Sequence, residues 1–137
     1  MEPTQGAPRL SVLAVDDDRD TAETLVELLA LMGYQARAAT SGEEALVVAS
    51  ESPPDVVLLD MHMPGMDGWE LGRLLAGGPK PPVLVAVTGC NRDEDRQRSA
   101  DAGIHLYLLK PVEPAVLTGM LKRFERTLVP TEPVPAY

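Results

Sequence analysis

Apolar residues along the chain alternate between two rhythms, short unbroken runs and longer stretches spaced by three and four. The first run, residues 10–15, is continuous, the pattern of a strand buried on both faces. From Asp20-Thr21 a helical spacing takes over, with Ala22, Leu25, Leu28, Leu29 and Met32 on one face and Gly33 placed to cap the end. A weaker strand is expected over residues 34–39. Ser41-Gly42-Glu43-Glu44 then has the form of a capping box, opening a helix with Ala45, Leu46 and Val48 that stops before Pro53-Pro54. A strongly apolar strand, Val56-Val57-Leu58-Leu59, ends on Asp60, and a helix is expected near residues 69–75. The breaker cluster Gly77-Gly78-Pro79-Lys80-Pro81-Pro82 precedes a strand over 83–87.

The next helix, over 91–102, is charged and thin in apolar residues, capped by Asn91 or Asp93 and closed by Gly103. A last strand over 104–109 leads through Pro111 and Pro114 into a final helix. That helix carries Val116, Leu117, Met120, Leu121, Phe124 and Leu128 on one face. Five strands alternating with five helices specify parallel βα units, a sheet covered on both sides, and ligands bound at the carboxyl ends of the strands. Residues 1–8 and the Pro-rich residues 129–137 carry no packing pattern and are expected to be tails or linkers around one domain over 9–128.

Composition refines this picture. Only 4% of residues are aromatic against 45% hydrophobic, so the core must be aliphatic. A formal net charge of −9 argues against direct nucleic-acid binding and suits a divalent cation or a basic partner surface. The single cysteine, Cys90, excludes an intramolecular disulfide. The start of the chain lacks the basic and apolar regions of a signal peptide, and no apolar run is long enough to suggest a membrane span. A cytoplasmic domain is expected.

The chemistry lies at the strand ends. Asp16-Asp17, Asp60, Thr88 and Lys110 each follow or finish an apolar run, so the alternation brings all of them to one edge. A buried unpaired carboxylate costs several kcal/mol or else neutralises. Converging carboxylates repel by roughly 1–4 kcal/mol per close pair. A cation is the natural remedy, and an all-oxygen site suits Mg²⁺. Lys110 and Thr88 would add an ammonium and a hydroxyl for phosphoryl oxygens, with Asp60 as a nucleophile that forms an acyl phosphate. Singly, each residue has a plainer role: the aspartates as caps or turn residues, Thr88-Gly89 as a turn, Lys110 as a solvated strand end. Their arrival at one edge favours the chemical reading.

The motifs Val15-Asp16-Asp17-Asp18, Asp55 to Gly68, Val87-Thr88-Gly89 and Lys110-Pro111 together resemble the receiver domain of two-component response regulators, including receivers attached to hybrid sensor histidine kinases. The resemblance spans residues 9–128. It implies a flavodoxin-like doubly wound sheet of order 2-1-3-4-5 in an αβα sandwich, and phosphorylation of Asp60 from a phosphohistidine on a sensor histidine kinase or histidine phosphotransfer protein. It further implies Mg²⁺ held by Asp17, Asp60 and the His62 main-chain carbonyl, with Asp16 acting through water. Thr88 and Lys110 would hold phosphoryl oxygens, Lys110–Pro111 would be cis, and Thr88 and Tyr107 would form a switch. The switch would control an effector-binding face made by the fourth helix, fifth strand and fifth helix.

His62 and Cys90, each two residues beyond a site residue, are candidates for tuning the lifetime of the phosphorylated state, whereas Asp18 is expected only to cap a helix. An aspartyl-nucleophile phosphatase fits less well, because such enzymes place a second Asp where His62 stands. A flavin carrier would need a phosphate-cradling loop where three aspartates stand. A docking module that works without phosphorylation is the remaining alternative. No DNA-binding or catalytic segment is read after the last helix, so a stand-alone regulator or the receiver portion of a longer protein is expected.

Overall fold

The structure, a computed structural model, describes residues 10–89, 93–104 and 106–128. Ten elements alternate strictly: β1 (Ser11–Val15), α1 (Arg19–Leu31), β2 (Gln35–Ala39), α2 (Gly42–Glu51), β3 (Val56–Asp60), α3 (Gly68–Ala76), β4 (Val83–Thr88), α4 (Asp93–Asp101), β5 (Leu106–Leu109) and α5 (Pro114–Leu128). All strand pairs are parallel and the order is β2-β1-β3-β4-β5, the doubly wound arrangement expected from the sequence. The chain reverses its direction of travel across the sheet between β1 and β3, which opens a crevice at their carboxyl ends.

Alternation along each strand sorts the core into two layers. Leu13, Val15, Val57, Leu59 and Ala86 meet Ala45, Trp69, Leu71 and Leu75 from α2 and α3 on one side. Val12, Val56, Leu58, Val85 and Val87 meet Leu29 of α1 and Leu117 and Leu121 of α5 on the other. Every residue of β3 is buried, as a central strand covered on both faces requires. Register is pinned at the amino end, where Ser11 N–H donates to Asp55 Oδ2 and Asp55 N–H to Ser11 O, both at 2.8 Å.

Helix starts follow the cap chemistry. Asp18 caps α1, its Oδ1 accepting from Asp20 N–H at 3.2 Å and its Oδ2 from the Thr21 hydroxyl at 2.8 Å. Ser41 Oγ accepts from Glu44 N–H at 3.0 Å, but Glu44 reaches back to the Thr40 N–H at 2.7 Å rather than to that of Ser41, one residue beyond a strict capping box. Asp67 caps α3 by accepting from Glu70 N–H at 2.9 Å.

One expectation needs correction. Val116 stands away from the buried stripe of α5 and is exposed, because Leu117 and Leu121 already face the sheet. Leu106 and Leu109 are exposed as well. β5 is an edge strand, so its apolar run is only half covered. The expected tails at 1–8 and 129–137 lie outside the described residues, as do the start of the fourth helix at Asn91 and Cys90.

Candidate functional site

Parallel register carries the polar strand ends to one place. Asp60 lies beside Val87 of β4, Thr88 beside Leu109 of β5, and Asp16 follows Val15, which pairs with Leu59. Asp16, Asp60 and Thr88 are 3%, 6% and 6% exposed, so three polar side chains are buried at the crevice. Asp17 is exposed beside them. Asp16, Asp17 and Asp60 each offer a carboxylate oxygen within 4.8 Å of the others. Among the described residues no other cluster of acidic or His side chains does so.

Main-chain bonds aim these groups. Asp16 N–H donates to Ala39 O at 3.1 Å, and Asp16 Oδ1 accepts from Asp18 N–H at 2.9 Å. Asp60 Oδ1 accepts from His62 N–H at 3.3 Å. Lys110 N–H donates to Thr88 O at 2.9 Å, and the following Lys110–Pro111 bond is cis, as the resemblance implies. The loop after β3 is held close to the site by Gly68. A Cβ there would sit 2.7 Å from the Asp60 carbonyl oxygen and from Met61 Cα, and Gly68 N–H donates to Met61 O at 3.1 Å.

One ammonium answers the acids. Lys110 Nζ lies 3.2 Å from Asp16 Oδ2 and 3.6 Å from Asp60 Oδ1. Burial and the Asp16 charge push the Asp60 carboxyl up from 3.8 to about 6, and a hydrogen bond with Asp17 pushes the same way. Lys110 and the His62 N–H pull it only partly back. Burial lowers the Lys110 ammonium, but Asp60 and Asp16 together outweigh it and leave it raised. The edge therefore carries more negative charge than its own cation balances. A hard divalent cation with oxygen preference fits both the donors and the charge.

Tyr107 is half-buried, pairs with Ala86 and packs on the sheet face that carries α2, α3 and α4. Thr88, two residues after Ala86, shares that face. The His62 side chain is exposed at the rim, edge-on to Trp69 with ring centres 5.3 Å apart. The sequence reading did not single out Trp69 itself, or Asp67, Arg98 and Ser99 around it. The available signals were Asp67 with Glu70 three residues on, and a single tryptophan in a chain poor in aromatics.

Comparison with known proteins agrees with this geometry. The family model for the response regulator receiver domain matches residues 12–122. The response regulator MprA of Mycobacterium leprae is 38% identical over 125 residues, covering 90% of this chain and 53% of its own length. The chain thus spans about half the length of that relative. Among solved structures, the chemotaxis protein CheY4 of Vibrio cholerae superposes with a TM-score of 0.81 at 29% identity, covering 85% of this chain and 98% of that one. The signal receiver domain of a signal transduction histidine kinase from Syntrophus aciditrophicus gives 0.79 at 31% identity, covering 93% and 98%. The chain belongs to the response regulator receiver family of two-component signalling. Receivers of this family work with histidine kinases or phosphotransfer proteins, and the family is one of signalling domains. No helix among the described residues is long and apolar enough to cross a membrane.

Proposed function

We propose that this domain accepts a phosphoryl group on Asp60 from a phosphohistidine of a sensor histidine kinase or phosphotransfer protein, and that the modified site alters an effector-binding face on α4, β5 and α5. The observation that supports it most is the buried Asp60 carboxylate, raised to about 6 by burial and Asp16 yet facing Lys110 at 3.6 Å. Such a group is destabilised as a bare anion and gains from becoming an acyl phosphate whose charge lies further out, toward the ammonium.

Asp17, Asp60 and the His62 carbonyl would hold Mg²⁺, with Asp16 contributing through water. The ion supplies charge neutralisation of the phosphoryl oxygens and of the acidic cluster. Asp60 attacks phosphorus as a carboxylate; the P–N bond to the donor imidazole breaks as the P–O bond forms, and the imidazole leaves with the P–N electron pair and takes a proton from water. Lys110 holds one phosphoryl oxygen and Thr88 donates its hydroxyl to another. The inward pull on Thr88 frees space on the sheet face it shares with Tyr107, which moves toward it and reshapes the α4-β5-α5 surface. His62 at the rim is positioned to influence water access and so the lifetime of the acyl phosphate; Cys90 has the same assignment from its sequence position. A receiver portion of a hybrid kinase and a free-standing regulator both fit this reading.

Incubation with Mg²⁺ and acetyl phosphate followed by intact mass tests it. One added phosphoryl group is expected, absent from Asp60→Ala and without Mg²⁺. No addition to the wild type would leave the phosphorylation-independent docking module in its place.

A further inference from the structure

Away from the acidic edge, one polar cluster joins the loop after β3 to α4. Trp69, in the first turn of α3 and only 3% exposed, donates its indole N–H to Ser99 Oγ of α4 at 3.0 Å. The Arg98 guanidinium lies 4.0 Å from the centre of the Trp69 ring. Its Nη2 also meets Asp67 Oδ2 at 3.3 Å, while Asp67 Oδ1 caps α3. The His62 ring also stands edge-on to Trp69. Two adjacent α4 residues are thus clasped by the loop that leaves Asp60 and by the helix turn that ends it.

The two ends of this clasp differ in stiffness. Toward the site, Gly68 leaves no space between α3 and the Asp60–Met61 backbone, and His62 N–H is bound to Asp60 Oδ1. A displacement of Asp60 or of the His62 main chain is therefore carried to Asp67 and Trp69 instead of being absorbed. Toward α4 the attachment is light. Among residues 97–101 only Ser99 is buried, and the apolar anchors Ala102 and Ile104 come behind the helix. A stretch of helix with so few buried side chains among its described ones shifts at low cost.

We propose that the Trp69–Ser99–Arg98–Asp67 clasp couples occupancy of the Asp60 site to the position of α4, as a route separate from the one through Thr88 and Tyr107. Trp69 is the positioning residue of that route. The coupling rests on the phosphoacceptor reading above, and because coupling is reciprocal, a partner that draws α4 off Trp69 also changes how readily Asp60 is loaded.

The test follows amide hydrogen exchange of α4 in the full chain, with and without Mg²⁺ and acetyl phosphate, for wild type, Ser99→Ala and Trp69→Phe. Intact mass on the same samples records loading. In wild type, loading is expected to change α4 exchange by about fivefold or more. Both variants are expected to take up one phosphoryl group at saturating acetyl phosphate, as wild type does, and to lose most of that change. A clasp that is only a structural tie would speed α4 exchange equally in loaded and unloaded protein, leaving the wild-type ratio intact, and this result overturns the coupling alone. Wild-type protein that takes up no phosphoryl group overturns the phosphoacceptor reading and the coupling together.

Discussion

At the scale of single residues, the site is organised around an excess of negative charge. The Asp60 carboxyl is raised to about 6 in the fold against 3.8 ordinarily. Between these values the folded protein binds more protons than the unfolded chain, so stability falls as pH climbs through that window and stays lower above it. Asp60→Asn removes the charge while keeping the shape. In metal-free buffer near neutral pH the variant is expected to be more stable than wild type by about 1–3 kcal/mol, the advantage fading as pH falls from about 6 and gone below about 4. Denaturant melts at several pH values measure this, and a variant less stable at neutral pH would contradict it. Lys110→Met removes the ammonium that faces Asp60 and Asp16 and is expected to raise the Asp60 pKa further, as carboxyl chemical shifts followed against pH would record. Trp69→Phe leaves the buried Ser99 hydroxyl without its indole donor, an expected loss of about 1–2 kcal/mol in chemical denaturation.

At the scale of elements, the junction of β3, its loop and α3 fixes the geometry of the site. Gly68 occupies the first position of α3, where alanine would ordinarily gain about 1 kcal/mol in helix propensity. Here the added Cβ would meet Asp60 O and Met61 Cα at 2.7 Å, backbone atoms that cannot swing aside. The overpacking cost, typically about 1–3 kcal/mol, is therefore expected to win. Gly68→Ala should lower the melting temperature and slow phosphoryl uptake by displacing the loop, and a stabilised variant with full uptake would show that the loop tolerates movement. The far end of the sandwich has its own tie, the Tyr34 hydroxyl donating to Glu125 of α5. The elements themselves were legible in the sequence wherever burial was two-sided, as in β1 and β3, or where a cap residue marked the start, as at Ser41. Legibility failed where tertiary position decided exposure. Leu106 and Leu109 belong to an apolar run, but β5 lies at the sheet edge and leaves them exposed; Val116 was placed on the apolar face of α5 yet is exposed.

At the scale of the whole molecule, parallel topology converts four separate strand ends into one edge. That convergence could be foreseen because the βα alternation fixes the direction of every strand, so Asp16, Asp60, Thr88 and Lys110 had only one side on which to emerge. The clasp around Trp69 could not be foreseen, since the pairing of Trp69 with Ser99, thirty residues apart, depends on how α3 and α4 lie against each other. The charge excess also sets an expectation for the domain as a unit. A cation bound by the folded site and not by the unfolded chain stabilises by mass action. Millimolar Mg²⁺ is therefore expected to raise the melting temperature of wild type and to leave that of Asp60→Asn nearly unchanged, and equal shifts in both would place the ion elsewhere.

The most direct measurement of the central claim is the position of the acyl phosphate. After transfer from a phosphohistidine donor in Mg²⁺, borohydride reduction and peptide mass analysis should show the aspartyl phosphate reduced to homoserine at residue 60 and nowhere else. Reduction at Asp16 or Asp17, or an unmodified Asp60 in protein that carries phosphate, would contradict it.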